Sequence, residues 1–162
     1  MRMLLLSPVS LLLAFVAMGC QPPVQELAPL RTAEQVEADV EAMRMAWLNA
    51  ANSGDAAGVA SFYTDDAVFV DPYGVVHQGR TAIERYFEQS LARSSGYDIV
   101  TEGIVFEGDM GAGYGTYSST LQGPEGPVPS GGRWQNVSLY QPDGSLKMRL
   151  QISMIPAPMP EM

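Results

Sequence analysis

The chain has 162 residues, 46% of them apolar, with 18 acidic side chains against 9 basic ones and a formal charge of −9. That length and apolar fraction suit one compact core, and the acidic balance excludes phosphate-backbone binding, which needs clustered Lys and Arg to displace counterions. A single Cys and a single His exclude a disulfide framework and a Cys/His metal cage, so neither a metal nor a cofactor is expected.

The N-terminus reads Met1-Arg2-Met3, then an apolar run broken by Ser7, Pro8 and Ser10, then Gly19-Cys20. A charged start, a short apolar stretch and small residues before a cleavage point are the pattern of a secretion signal. The run is too short and too interrupted for a membrane span, which needs about 20 consecutive apolar residues. Its ending, Ala17-Met18-Gly19-Cys20, resembles the bacterial lipobox, which implies cleavage after residue 19 and lipidation of Cys20. Ordinary signal cleavage that leaves Cys20 as a free thiol is the alternative. With acyl chains on Cys20, the domain is held at a membrane by lipid alone. Gln21 follows the Cys where an inner-membrane retention signal has Asp, so the resemblance implies the outer membrane facing the periplasm. Residues 20–31 contain three prolines and no periodicity, the composition of an extended tether.

From Thr32, the apolar positions Val36, Val40, Met43, Trp47 and Ala50 fall at alternating steps of four and three, which is the spacing of one helix face. Thr32 with Gln35 forms a capping box, and Asn52-Ser53-Gly54 stops the helix. Asp55 caps a second, short helix carrying Val59, Phe62 and Tyr63. The run Ala67-Val68-Phe69-Val70 reads as a buried strand, ended by Asp71-Pro72-Tyr73-Gly74. A third helix starts at Thr81, with Glu84 completing a second capping box, and buries Ile83, Phe87 and Leu91. Strands follow over 99–106, 113–121, 134–140 and 146–155, the last two as a hairpin through Pro142-Asp143-Gly144. Residues 122–132, with three Pro and four Gly, read as a rim loop. Helices first and antiparallel strands afterwards give an α+β domain over 32–156 with the helices on one face of a curved sheet, followed by a tail over 157–162.

Several residues carry candidate chemistry. Asp71 stands at the end of an apolar strand, where a carboxylate faces an apolar cavity as a general base; its alternative role is to close an Asp-Pro turn. His77 follows six residues later and pairs with Asp71 as a shuttle or orienting group, or else lies at the surface. Asn136 shares a strand face with Trp134 and Ser138, so if that face is inward its amide needs a buried partner. Tyr63, Tyr86, Tyr114 and Tyr117 are cavity-lining candidates. Asp65-Asp66 are assigned to turn and capping roles.

The words Gly54-Asp55, Phe62-Tyr63-Thr64-Asp65-Asp66-Ala67, Asp71-Pro72 and Gly79-Arg80-Thr81-Ala82-Ile83 resemble the nuclear transport factor two-like superfamily, and within it the SnoaL-like and ketosteroid-isomerase-like branches. The resemblance implies a cone, a strongly curved antiparallel sheet packed against about three N-terminal helices around an apolar pocket, usually as a homodimer. It places Asp71 at the isomerase general-base position, Trp47 where those enzymes carry an oxyanion tyrosine, and Asn136 where they carry a protonated aspartic acid. Phe87 replaces a supporting tyrosine. Trp47 and Asn136 can donate through N–H groups, though neither is an acidic hydroxyl, and Trp47 also sits on the apolar stripe of helix one. The same cone hosts isomerases, dehydratases, cyclases and non-catalytic binding domains. The reading is therefore a lipid-anchored domain that binds a small hydrophobic ligand in a pocket including Tyr63, Phe87 and His77. The alternatives are a cofactor-free isomerase, dehydratase or cyclase based on Asp71, and an interaction module that uses the exposed sheet.

Overall fold

A computed structural model describes residues 31–155. The lipobox, the tether up to Leu30 and the tail from Pro156 lie outside them. Helix α1 spans Ala33–Asn52, and the expected capping box forms: Thr32 Oγ1 accepts from the Gln35 amide at 3.2 Å and Gln35 Oε1 accepts from the Thr32 amide at 2.9 Å. Its buried side chains include Val36 and Trp47 from the apolar stripe. Helix α2, Ala56–Ala60, is capped by Asp55, whose carboxylate accepts from the Gly58 amide at 2.8 Å.

Helix α2 ends before Phe62 and Tyr63, in contrast to the sequence reading. Tyr63 instead opens strand β1, Tyr63–Val70, beside Met148. Asp65 and Asp66 belong to this strand as well, paired with Arg80 and Arg149 rather than capping a turn. After Asp71-Pro72-Tyr73-Gly74, strand β2, Val76–Gln78, returns antiparallel to β1. Helix α3, Arg80–Leu91, starts one residue before the expected N-cap. Gly79 at φ +82° supplies the N-cap backbone, no side chain caps it, and the Thr81–Glu84 box does not form because Thr81 already lies in the first turn. Ile83 and Phe87 are buried as expected.

Strands β3 (Ser94–Glu107), β4 (Met110–Gly123), β5 (Gly126–Tyr140) and β6 (Leu146–Met154) complete a six-stranded sheet in the order β2-β1-β6-β5-β4-β3. All neighbours run antiparallel except β1 and β6, which are parallel. Register shifts in β3 between Ser95 and Asp98 and between Thr101 and Gly103 are the kind of irregularity that bends a sheet, and the sheet is curved and unclosed.

The expected loop over 122–132 is strand instead, since β4 and β5 stay paired until Gly123 meets Gly126. The prolines are tolerated because β5 pairs with β6 only from Arg133 onward. Before that point no described strand pairs with the other side of β5, so Pro127 and Pro129 lose no ladder bond there. The helices pack on one face of the sheet, around a core that includes Trp47, Leu48, Val59, Tyr63, Phe69, Ile83 and Phe87.

Candidate functional site

The apolar residues of β1 carry the chain through the core and deliver Asp71 at its exit, with a side chain 7% exposed. Its two oxygens serve different partners. Oδ1 accepts from the Tyr73 and Val75 amides, both at 2.9 Å, and Oδ2 accepts from His77 Nε2 at 3.1 Å. The turn, read from the sequence as the alternative to a base, and the His77 pair therefore coexist on one carboxylate. Burial pushes the Asp71 pKa up, but the His77 bond and the two amide bonds outweigh it and hold the carboxyl below its ordinary value. The group is ionised at neutral pH. His77 reaches it because β2 pairs His77 opposite Phe69. The imidazole stacks on the Phe69 ring with centroids 5.9 Å apart, and Tyr86 approaches it at 4.7 Å.

Asp71 and His77 face a cavity of about 330 Å³ between α3 and the inward faces of the strands. Its walls carry the rings of Trp47, Phe69, Tyr86, Phe87, Tyr97 and Trp134, interleaved with Ser90, Ser94, Ser119, Ser130 and Ser153. Trp47 meets Phe87 and Tyr97 edge-on, with centroids 5.8 and 6.0 Å apart, an arrangement that fixes its ring. Burial pushes the Tyr86 hydroxyl up, the neighbouring Ser90 draws it part of the way back, and the Asp71 charge adds to the rise, so Tyr86 stays protonated.

A second, narrow cavity of about 60 Å³ lies between α1 and the sheet. Its floor exists because β4 carries Gly111 and Gly113 on its inward face. A methyl group on Gly111 would lie 2.3 Å from the Phe106 ring, and one on Gly113 would lie 3.1 Å from Asn136 Oδ1 and 3.4 Å from the Trp134 ring. Asn136 Oδ1 accepts from the Gly113 amide at 3.2 Å, which fixes the orientation of the side-chain amide and leaves its NH₂ without a bond among the described residues.

Two other polar atoms of this wall are buried with no partner among the described residues: Trp47 Nε1 and Ser138 Oγ. The Trp47 N–H lies toward the Tyr63 hydroxyl and favours ionisation of that hydroxyl, against the larger opposing effect of burial, which drives the Tyr63 pKa far up. The alignment still falls short of a hydrogen bond. A buried donor left unmade costs about 1–3 kcal/mol, so such atoms call for an explanation.

Of the sequence candidates, Asp71, His77, Phe87 and Trp47 share the wide cavity, while Asn136 lies in the narrow one. Trp47, Ile99, Trp134 and Gln151 border both. Asp71, Asn136 and Trp47 therefore do not converge on one cavity. Tyr63 lines neither: it is 0% exposed, and its hydroxyl donates to Gln151 Oε1 at 2.8 Å, so it acts as a core residue that positions a wall residue. Tyr86 and Tyr117 line the wide cavity, whereas Tyr114 is 49% exposed and covers Gly103. Sequence reasoning missed Gln151, Ser138, Tyr97 and the glycine floor. Glycines at 111, 113 and 115, every second residue of a strand, were the available signal for that floor. Among the described residues no three His, Cys, Asp or Glu side chains group as metal ligands.

The SnoaL-like domain profile matches residues 45–142. The chain belongs to the SnoaL-like family. Among solved structures, a ketosteroid isomerase-like protein from Erwinia carotovora atroseptica shares 18% identity at a TM-score of 0.66, covering 75% of this chain and 96% of that one. A domain of unknown function with a cystatin-like fold from Nostoc punctiforme shares 15% identity at a TM-score of 0.67, covering 80% and 82%. A variant of a function-unknown protein from Mycobacterium tuberculosis shares 21% identity at a TM-score of 0.64, covering 75% and 76%. These likenesses establish the SnoaL-like fold. No curated protein matches the sequence.

Proposed function

We propose that this SnoaL-like domain binds a small, largely apolar molecule in the wide cavity. The observation that carries the reading is the cavity itself: about 330 Å³, walled by aromatic rings, with polar groups at a few fixed points. That volume lies at the lower end of the range for small-molecule sites.

The enzymatic alternative with Asp71 itself as base is less well supported, because its oxygens already accept two amides and an imidazole. The test uses the fact that the chain has two tryptophans, both bordering the cavity. Titration with 2-tetralone, a planar bicyclic ketone, is expected to quench their fluorescence saturably. The Ser119→Phe variant, which fills the wall, is expected to abolish that saturation. Linear, collisional quenching in both proteins would sink the reading.

The proposal extends to the chain's setting: Cys20 carries lipid and holds the domain at a bacterial envelope membrane, on the support of the lipobox resemblance alone. A second reading, a homodimer through the open face of the sheet, is supported by a cross-strand row of Val105, Ala112, Val137, Leu150 and Val68. Val105 on that face is 69% exposed and Val100 53%. Sedimentation at micromolar concentration is expected to show the dimer, and a monomer there refutes it.

A further inference from the structure

We propose that the ligand of the wide cavity carries one anionic group, and that Arg93, at the cavity mouth, holds that group. The inference rests on the reading of the cavity as a ligand site and names the ligand class: a carboxylic acid with a compact apolar body.

Backbone bonds on both sides fix Arg93 at the junction of α3 and β3. Its amide donates to Ser90 C=O at 3.0 Å, and its carbonyl accepts from the Gln122 amide at 2.8 Å. The next residue, Ser94, opens β3 opposite Leu121. The Arg93 side chain is exposed and lines the cavity. Its Nε donates to Gln89 C=O at 3.3 Å, and its two terminal amino groups make no hydrogen bond with any described residue.

Charge singles this residue out. The chain holds 18 acidic side chains against 9 basic ones, and Arg31, Arg44, Arg80, Arg133 and Arg149 each meet a carboxylate. Arg93 meets none among the described residues. It is the one Lys or Arg lining the wide cavity, and Asp71 is the one carboxylate. The Asp71 oxygens are taken by His77 and two amides, so that charge is answered locally and the Arg93 charge is not. A guanidinium presents paired N–H donors that match the two oxygens of a carboxylate.

The mouth is two-sided. Gln89, Ser90, Arg93 and Ser94 make its polar side, while the exposed Tyr73, Val75 and Ile155 make an apolar one. The strand order β2-β1-β6-β5-β4-β3 puts the ends of β1 and β6 well away from the start of β3, so the two sides do not mix. An apolar body enters against the second side and the rings beyond it. The acid group stays at the first side, where it keeps most of its hydration and avoids the cost of burying a charge.

Calorimetric titration with two probes of one shape, tetralin-2-carboxylate and tetralin-2-carboxamide, tests the assignment at neutral pH and low salt. Wild type is expected to bind the carboxylate about fivefold more tightly, the upper end of what an exposed ion pair supplies. That preference is expected to vanish near 1 M salt, where the screening length falls to about 3 Å. Arg93→Gln is expected to bring the carboxylate down to the carboxamide, and Arg93→Lys, which keeps the charge, to retain most of the difference. Arg85→Gln is the control. Arg85 lies on α3, donates through Nε to Thr81 C=O at 3.3 Å and meets no carboxylate among the described residues, yet it does not line the cavity, so its loss is expected to leave the preference intact. Equal affinities in wild type while 2-tetralone still quenches saturably, a preference undiminished in Arg93→Gln, or an equal loss in Arg85→Gln each overturns the proposal. Absence of saturable 2-tetralone quenching in wild type instead removes the ligand-site reading on which it rests.

Discussion

Replacing Asp71 by Ala separates what the carboxylate does for the fold from what it does in the cavity, and the structure sets the size of the first effect. The substitution removes the acceptor for two backbone amides and one imidazole. Buried hydrogen bonds to a charged group are each worth about 1.5–3 kcal/mol. Here, however, Tyr73 is 76% exposed and Val75 53%, so the freed amides regain water and the loss is closer to that of a helix or turn cap, about 0.5–2 kcal/mol. Two backbone bonds also persist, Asp71 N–H to Val75 C=O and Gly74 N–H to Asp71 C=O, both at 2.9 Å, and they keep the turn closed. Adding the His77 bond brings the total to about 2–5 kcal/mol, or roughly 7–17 °C in the unfolding midpoint of a domain this size.

The pH dependence of that loss follows from the direction of the Asp71 shift. The folded pKa lies below its ordinary value of 3.8, so the unfolded chain binds this proton more readily than the folded one. The stabilisation is fully present above the ordinary carboxylate range and is lost as pH falls through the folded value. Thermal unfolding followed by circular dichroism is therefore expected to show the full gap between wild type and Asp71→Ala at neutral pH, and a gap that closes as acidification passes below the ordinary carboxylate range. Equal midpoints at neutral pH, or a gap that stays constant into acid, would refute the assignment of the carboxylate to the turn.

Ser138→Ala removes a buried hydroxyl that has no partner and is expected to raise the midpoint by roughly 2–6 °C, the reward for deleting an unsatisfied group; a fall would mean that Oγ has a partner in solution. Gly115→Ala puts a methyl carbon 1.9 Å from the Val100 carbonyl oxygen, backbone that cannot swing aside. It is expected to cost more than about 4 kcal/mol and to leave little folded protein, and a midpoint near wild type would contradict the close approach of β3 and β4. Cys20→Ala is expected to abolish incorporation of labelled palmitate and to release the domain from membranes, and unchanged labelling would refute lipidation there.

Local chemistry was the legible part of the fold. The Thr32 and Asp55 caps and the Asp71-Pro72-Tyr73-Gly74 turn stand where residue type and spacing put them, because each is satisfied within four residues. The failures occur where a neighbour distant in sequence decides the outcome. Tyr63 leaves the helix because Met148 offers it a strand partner. Residues 126–132 are strand because β4 pairs with them on one side while no described residue pairs on the other, so Pro127 and Pro129, read as breakers, mark an edge among the described residues. Gly79 starts α3 through a backbone angle of +82° that no side-chain motif announces.

The same division runs through the site. Asp71 and His77 are six residues apart and meet because the hairpin register sets His77 against Phe69 and Val76 against Val70, so a local turn carries the pair and the sequence could suggest it. The partition of the interior into two cavities rests on Trp47, Ile99, Trp134 and Gln151, drawn from four elements whose meeting no spacing rule reports. Absence is harder still to read: the narrow cavity exists because Gly111 and Gly113 contribute nothing to its floor, and a search for reactive side chains passes over residues that have none. Aligned positions carry a similar limit. Asp71 and Asn136 stand where the isomerase resemblance puts a base and a donor, and they line different, adjoining cavities. The group that does stand beside Asp71 is an imidazole, and the carboxylate spends its lone pairs on holding that ring and the turn in place.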